Sequence, residues 1–282
     1  MNVTLSNGIL KATVSTRGAE LIALEKDGRN VIWSGDPAVW GFHAPILFPI
    51  CGGLKDDKYL YRGKEYVLKK HGFIRTSEFA VEKATGDRIV FLHRFTDETL
   101  KQYPFRYELR VIYTLSGSEL QIDYNVKNLS DGDLFFSVGA HEGYACPEGI
   151  EEYSILFEEP ETLESTVLLG NLLSDETVNL GENVRELPLK YDYFAVDAQV
   201  FLNLKSRFVT LLNRKTGAKI GIAFPDHDAF LLWTKPCAKY ICIEPWCGCP
   251  DFVGGDSRLE NKRGILRLRG KEETTRSHRI LL

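Results

Sequence analysis

The chain predicts an all-β protein, a large sandwich of packed antiparallel sheets, on three observations. Two-residue alternation is the dominant pattern: between Glu119 and Asn128, Leu120, Ile122, Tyr124 and Val126 interleave with Gln121, Asp123, Asn125 and Lys127, the period of a strand with one buried face. Strands also follow one another through short turns. RYELRVIYTL leads through Ser116-Gly117-Ser118 into that alternating run, and FVTLLNRK and AKIGIAF flank Thr216-Gly217, so both pairs predict hairpins. Helical periodicity is nearly absent; only Thr96 to Tyr103 predicts a turn or two of helix, with Thr96 or Asp97 as its cap.

Further strands are expected at GILKATVS, RIVFLHRF, DLFFSVGA, AQVFLNL and KYICIEPW. No segment repeats at a fixed period, which favours a sandwich over a propeller or solenoid. With 282 residues, 44% of them hydrophobic, and no Pro/Gly/Ser-rich linker, one domain over residues 1–282 is expected. Glu158 to Tyr191 is polar, acidic and weakly patterned, which suggests a long surface excursion.

Charge narrows the partners. The 35 basic and 39 acidic side chains are dispersed and the formal net charge is −4, so no footprint for nucleic acid or an anionic membrane is expected, and a small neutral ligand is. The N-terminal MNVTLSNGILKATVS lacks the pattern of a secretory signal, and a cytoplasmic protein is expected. Six cysteines are too few for a disulfide scaffold. Four of them, Cys237, Cys242, Cys247 and Cys249, crowd together, but their gaps do not resemble the paired knuckles of a zinc site.

Candidate chemistry starts with the six histidines, whose side chains titrate near neutrality. His71 opens HGFIR, after a basic pair and close to the aromatic Phe73, whereas His141 closes the strand DLFFSVGA and opens the turn HEGYACP, where backbone leaves the sheet. Taken alone, each is more readily a satisfied core or surface imidazole, the reading kept for His43, His93, His227 and His278. Glu244 lies inside the apolar run KYICIEPWCGCPD. Alternation places Tyr240, Cys242, Glu244 and Trp246 on one face and Ile241 and Ile243 on the other. A carboxylate so placed must be paired or shifted upward in pKa, which suits either a general base or a core ion pair. Trp40, Trp233 and Trp246, with Phe73 and Tyr144, stand near these residues in sequence; flat amphipathic rings suit the C–H faces of sugars and equally suit a β core.

These motifs together resemble the aldose 1-epimerase, or galactose mutarotase-like, family, in particular its shorter LacX-like bacterial branch. The resemblance rests on APILFPICG, HGFIR, YPFRYEL, FSVGAHEGYACP, VDAQVF, LLWTKP and CIEPWCGCPD, in order from end to end. It implies a large antiparallel β-sandwich and interconversion of α and β anomers of an aldose. In that scheme Glu244 takes the proton from the anomeric hydroxyl, His141 delivers one to the ring oxygen, and His71 hydrogen-bonds near that oxygen. Asp197 matches a sugar-hydroxyl acceptor and Arg75 a family position in HGFIR, with Trp233 and Trp246 as substrate contacts. No metal, nicotinamide or other cofactor is expected, and the chain is expected to act as monomer or homodimer.

Three departures from the family pattern matter. An arginine usual near residue 53 is Gly53 here, with Arg75 or Lys55 as replacements. The proline usual after the second histidine is Glu142, which would make His141 easier to protonate if the two side chains meet. The surroundings of Glu244 are rich in cysteine. A non-catalytic sugar-binding protein on the same fold and a hexose-6-phosphate mutarotase are the alternatives, the latter requiring two or more cations at the cleft.

Overall fold

In the computed structural model, which describes residues 1–282, the alternating runs become three larger antiparallel sheets and three two-stranded ones. The largest has nine strands, in the order Val184–Pro188, Tyr153–Glu161, Phe208–Asn213, Lys219–Ala223, Glu273–Leu281, Glu119–Asn128, Tyr107–Ser116, Arg88–Arg94 and Ala80–Ala84. Its register carries the predicted alternation. Leu120, Ile122, Tyr124 and Val126 are all buried, each opposite a residue of Tyr107–Ser116 on one side and Glu273–Leu281 on the other. A four-stranded meander from Asn2 to Asn30 and a five-stranded sheet centred on Tyr240–Cys247 complete the sandwich. The main core runs from Leu5 to Ile280 and takes side chains from all three larger sheets.

Both hairpins form. The first is tighter than expected: Ser116 pairs with Glu119, so two residues, not three, make the turn. The single α-helix, Asp97–Gln102, is capped by Thr96, whose side chain accepts from the Thr99 amide while Thr99 Oγ1 accepts from the Thr96 amide; this reciprocal pair satisfies two otherwise orphaned donors.

The segment Glu158 to Tyr191 departs from expectation. It is a built hairpin, Glu164–Leu169 paired with Leu172–Asn179, followed by the edge strand Val184–Pro188 of the large sheet. Much of Leu172–Asn179 faces water, which is why its apolar signal was weak. Inward-facing Leu168 and Leu173 join Leu231 and Trp246 in a small second core. The hairpin therefore packs beside the site described next.

Candidate active site

The strand Tyr240–Cys247 is buried along its whole length and organises the site. Two short strands, Val138–Gly139 and Glu142–Ala145, pair with it on one side. Their registers agree: Gly139 faces Trp246, and Glu142 faces Ile243. The gap between them therefore sets Ala140 against Pro245 and His141 directly against Glu244. Pro245 has no amide hydrogen to give, but its carbonyl accepts from the Ala140 amide at 3.0 Å, keeping the strands aligned. Directly opposed residues project to one face. His141 Nε2 accordingly lies 3.2 Å from Glu244 Oε2, yet out of hydrogen-bond alignment, so that Glu244 Oε2 and His141 Nδ1 are both buried without a partner. Orphaned polar atoms at such depth are uncommon in native folds.

His71 arrives from a different part of the chain. It adopts a left-handed conformation, φ 68°, and is followed by Gly72 at φ 67°. The His71 amide donates to the Gly52 carbonyl at 2.9 Å, and the Gly52 amide donates back to His71 Nδ1 at 3.2 Å. Accepting at Nδ1 places the proton of the neutral ring on Nε2, making His71 a donor at its other edge. A Cβ on residue 72 would stand 2.2 Å from the Phe48 carbonyl oxygen. Replacing Gly72 with Ala therefore combines a left-handed backbone penalty with a backbone clash and is expected to cost at least about 2 kcal/mol, measured as a lower urea midpoint.

A cavity of about 500 Å³ opens above these residues. His71, His141 and Glu244 line it, as do Asp197, Arg75, Trp233 and Trp246. Trp40 stacks on His141 with ring centroids 5.2 Å apart, Trp233 meets the same imidazole edge-on at 5.8 Å, and Trp246 meets His71 at 5.5 Å. The Trp246 indole is fixed by donation to the Ala140 carbonyl. Gly139 and Gly143 leave room for these rings, because a Cβ at either would press on Trp246 or Trp40.

Burial dominates the electrostatics. It pushes the Glu244 carboxyl well above the usual carboxylate range, opposed by Lys70 and reinforced by Glu142 and Asp197. It pulls His141 down to about 3 and His71 well below the usual imidazole value, with the neighbouring cations Lys70 and Arg75 acting in the same direction. At neutral pH both imidazoles are uncharged, and burial favours the protonated, neutral form of the Glu244 carboxyl.

Glu142 and His141 do not meet, so the acid does not ease protonation of that ring. Neighbours on a strand point to opposite faces, and Glu142 crosses the core to bond His278 at 3.0 Å. Lys55 also turns away, to the Val253 carbonyl, whereas Arg75 reaches the cavity, its guanidinium over Phe42 and donating to the Lys70 carbonyl. The place of a side chain at Gly53 is taken by Asn171 at the hairpin tip, 2.6 Å from where a Cβ would stand. The clustered cysteines disperse: Cys237 is exposed, Cys242 packs among Trp33, Trp40 and Trp233, and Cys247 and Cys249 turn to the Asp226 and Arg263 carbonyls.

The sequence reading missed Lys70, Lys235 and Asn171, which also line the cavity. Adjacency to His71 was a usable signal for Lys70. Lys235 had a similar one, two residues after Trp233 in LLWTKP, whereas Asn171 had none, because its turn reaches the site only through sheet packing.

The molecule is a wide antiparallel sandwich that carries a buried imidazole–carboxyl pair beneath a cavity lined with aromatic rings. The chain belongs to the aldose 1-epimerase family, whose model matches residues 1–278. It is 34% identical to the protein LacX, plasmid form, of Lactococcus lactis subsp. lactis, over all of this chain and 99% of that one. Among solved structures it is similar to a galactose mutarotase related enzyme of Lactobacillus acidophilus, with 32% identity, a TM-score of 0.95 and coverage of 100% of this chain and 97% of that one. A galactose mutarotase-like protein of Lactobacillus casei superposes with a TM-score of 0.94 at 26% identity, over 100% and 99% of the two chains. No helix is long and apolar enough to cross a membrane.

Proposed function

We propose that the protein is a mutarotase that interconverts the α and β anomers of a monosaccharide, with Glu244 as base, His141 as acid and His71 as a fixed donor near the ring oxygen. The observation that carries this reading is the in-register pair His141 and Glu244, 3.2 Å apart at the base of the cavity. Anomerisation removes a proton from the anomeric hydroxyl and adds one to the ring oxygen, so it needs two groups that hold one proton between them.

Ring opening starts from Glu244 as carboxylate and His141 as imidazolium. Glu244 accepts the proton of the anomeric hydroxyl, His141 gives its proton to the ring oxygen, and the bond from that oxygen to carbon 1 breaks. Both groups end neutral, the state that burial favours. After rotation about the bond between carbons 1 and 2, the aldehyde is attacked from its other face and the same protons return. The neutral pair reaches its ion-paired form when one proton moves from the Glu244 carboxyl to His141. Asp197 accepts from sugar hydroxyls, Arg75 donates to them, and Trp233 and Trp246 cover the C–H face.

A second reading within the same chemistry has its own observation. Lys70, Arg75 and Lys235 all line the cavity, and none of them makes a salt bridge. Cations without a carboxylate partner at a cleft suit a phosphorylated aldose. Polarimetry of freshly dissolved α-glucose, α-galactose and α-glucose 6-phosphate tests both readings. Acceleration of the neutral sugars supports the first. A kcat/KM at least about tenfold higher for the phosphate, falling with added salt and lost in Lys70→Ala with Arg75→Ala, supports the second. Binding of all three sugars with no acceleration of any overturns the enzyme and leaves a sugar-binding protein.

A further inference from the structure

Cys242 has no part in the reaction above, yet it stands directly behind it. It lies two residues before Glu244 on the same face of the strand Tyr240–Cys247, opposite Gly143 on one side and Trp233 on the other. It is fully buried and does not line the cavity. The ligand atoms of His141, Cys242 and Glu244, one nitrogen, one sulfur and one oxygen, all lie within 4.8 Å of one another.

Three properties suit this trio to a metal ion. The first is spacing. Zinc bonds of about 2.0 to 2.3 Å put tetrahedral donors about 3.3 to 3.7 Å apart. The His141–Glu244 separation of 3.2 Å is already close to that, and the longest separation must shrink by only about 1 Å. The second is unmet bonding capacity: Glu244 Oε2, the carboxylate oxygen beside His141 Nε2, is buried with no hydrogen-bond partner, on a side chain 2% exposed. The third is charge. A divalent ion held by one thiolate, one carboxylate and one neutral imidazole forms a complex of zero net charge, so the low-dielectric site is asked to hold no net charge once the ion is bound. Nitrogen, thiolate and carboxylate together match zinc, and the side away from Cys242 stays open to the cavity as a fourth position.

We infer that His141, Cys242 and Glu244 form a Zn²⁺ site, entered from the sugar cavity, whose occupation ties up the acid–base pair and reversibly stops anomerisation. The inhibitory half rests on the mutarotase reading; the binding half stands without it. Cys242 makes the difference between a passing contact and a site, because it supplies the soft ligand that the two other groups lack.

The test uses the reduced full-length protein and Co²⁺ as a visible substitute for Zn²⁺. One equivalent is expected to produce a near-ultraviolet thiolate-to-cobalt band with the strong visible absorption of four-coordinate cobalt, and one equivalent of Zn²⁺ is expected to erase both. Cys242→Ser and Cys242→Ala, each checked for an unchanged cooperative melt, should lose the charge-transfer band and bind Zn²⁺ at least about 100-fold more weakly, a larger loss than removing a mere supporting contact brings. Cys237→Ser removes the exposed thiol and should leave the band intact. In mutarotation assays Zn²⁺ should slow the wild type and spare Cys242→Ala at the same concentration. Absence of the band in the wild type, its persistence in Cys242→Ala, or its loss in Cys237→Ser overturns the site. A cobalt band in a protein that accelerates no sugar keeps the metal site and overturns the mutarotase reading instead.

Discussion

Glu244→Gln is expected to lower mutarotation by about 10²- to 10⁴-fold, the contribution of one positioned proton-transfer group, while sugar still quenches tryptophan fluorescence with nearly unchanged affinity. The amide keeps the shape and the place in the strand Tyr240–Cys247 but cannot take up the anomeric proton. Wild-type folding is expected, because removing a buried carboxyl also removes its desolvation cost. Retention of the rate within a few-fold would show that another group is the base. In that case the carboxyl of Asp197, also at the cavity, is the first residue to replace.

Acid should weaken the fold from an unusually high pH. Burial holds His71, His93, His141 and His227 below the ordinary imidazole value of 6.5. In the unfolded chain each takes up a proton near 6.5, and in the fold it does not. Between these values the unfolded state binds more protons, so stability falls as pH falls. Each uncompensated imidazole removes about 1.4 kcal/mol per pH unit below 6.5. Glu244 has the opposite sign: its raised carboxyl keeps a proton in the fold that the unfolded chain has released, so its contribution is present below about 4.5 and is lost as pH rises. Four groups outweigh one. Urea unfolding at pH 7.5, 6.5 and 5.5 should show a midpoint nearly level over the first step and sharply lower over the second. A midpoint independent of pH across this range would mean that these imidazoles are not held neutral.

The two predictions draw on different kinds of information. Glu244 was conspicuous in the sequence because a carboxyl inside KYICIEPW must be explained wherever it sits. Its partner was not deducible from spacing, since His141 is 103 residues away in a chain with six histidines. The neutrality of His141 was also not visible: Glu142 follows it directly, and only the strand's alternation, realised in a packed core, sends that acid to His278. The long range of residues called a surface excursion was misread for a related reason. A hairpin with one face in water has half the apolar signal of a buried strand, and its inner residues Leu168 and Leu173 become informative only once Leu231 and Trp246 are seen beside them.

By itself the sequence determined the class of fold, both hairpins, the capped helix and the residue types available for acid–base work. All of these depend on periodicity and turn chemistry within about ten residues, which the chain expresses locally. Only the tertiary structure decided that His141 faces Glu244, that Asn171 joins the cavity and fills the space above Gly53, and that Cys242 backs the pair. Those outcomes depend on strand register and sheet packing. A shift of one residue would turn every side chain of Tyr240–Cys247 to the other face, and that choice is made by the whole core rather than by any segment of it.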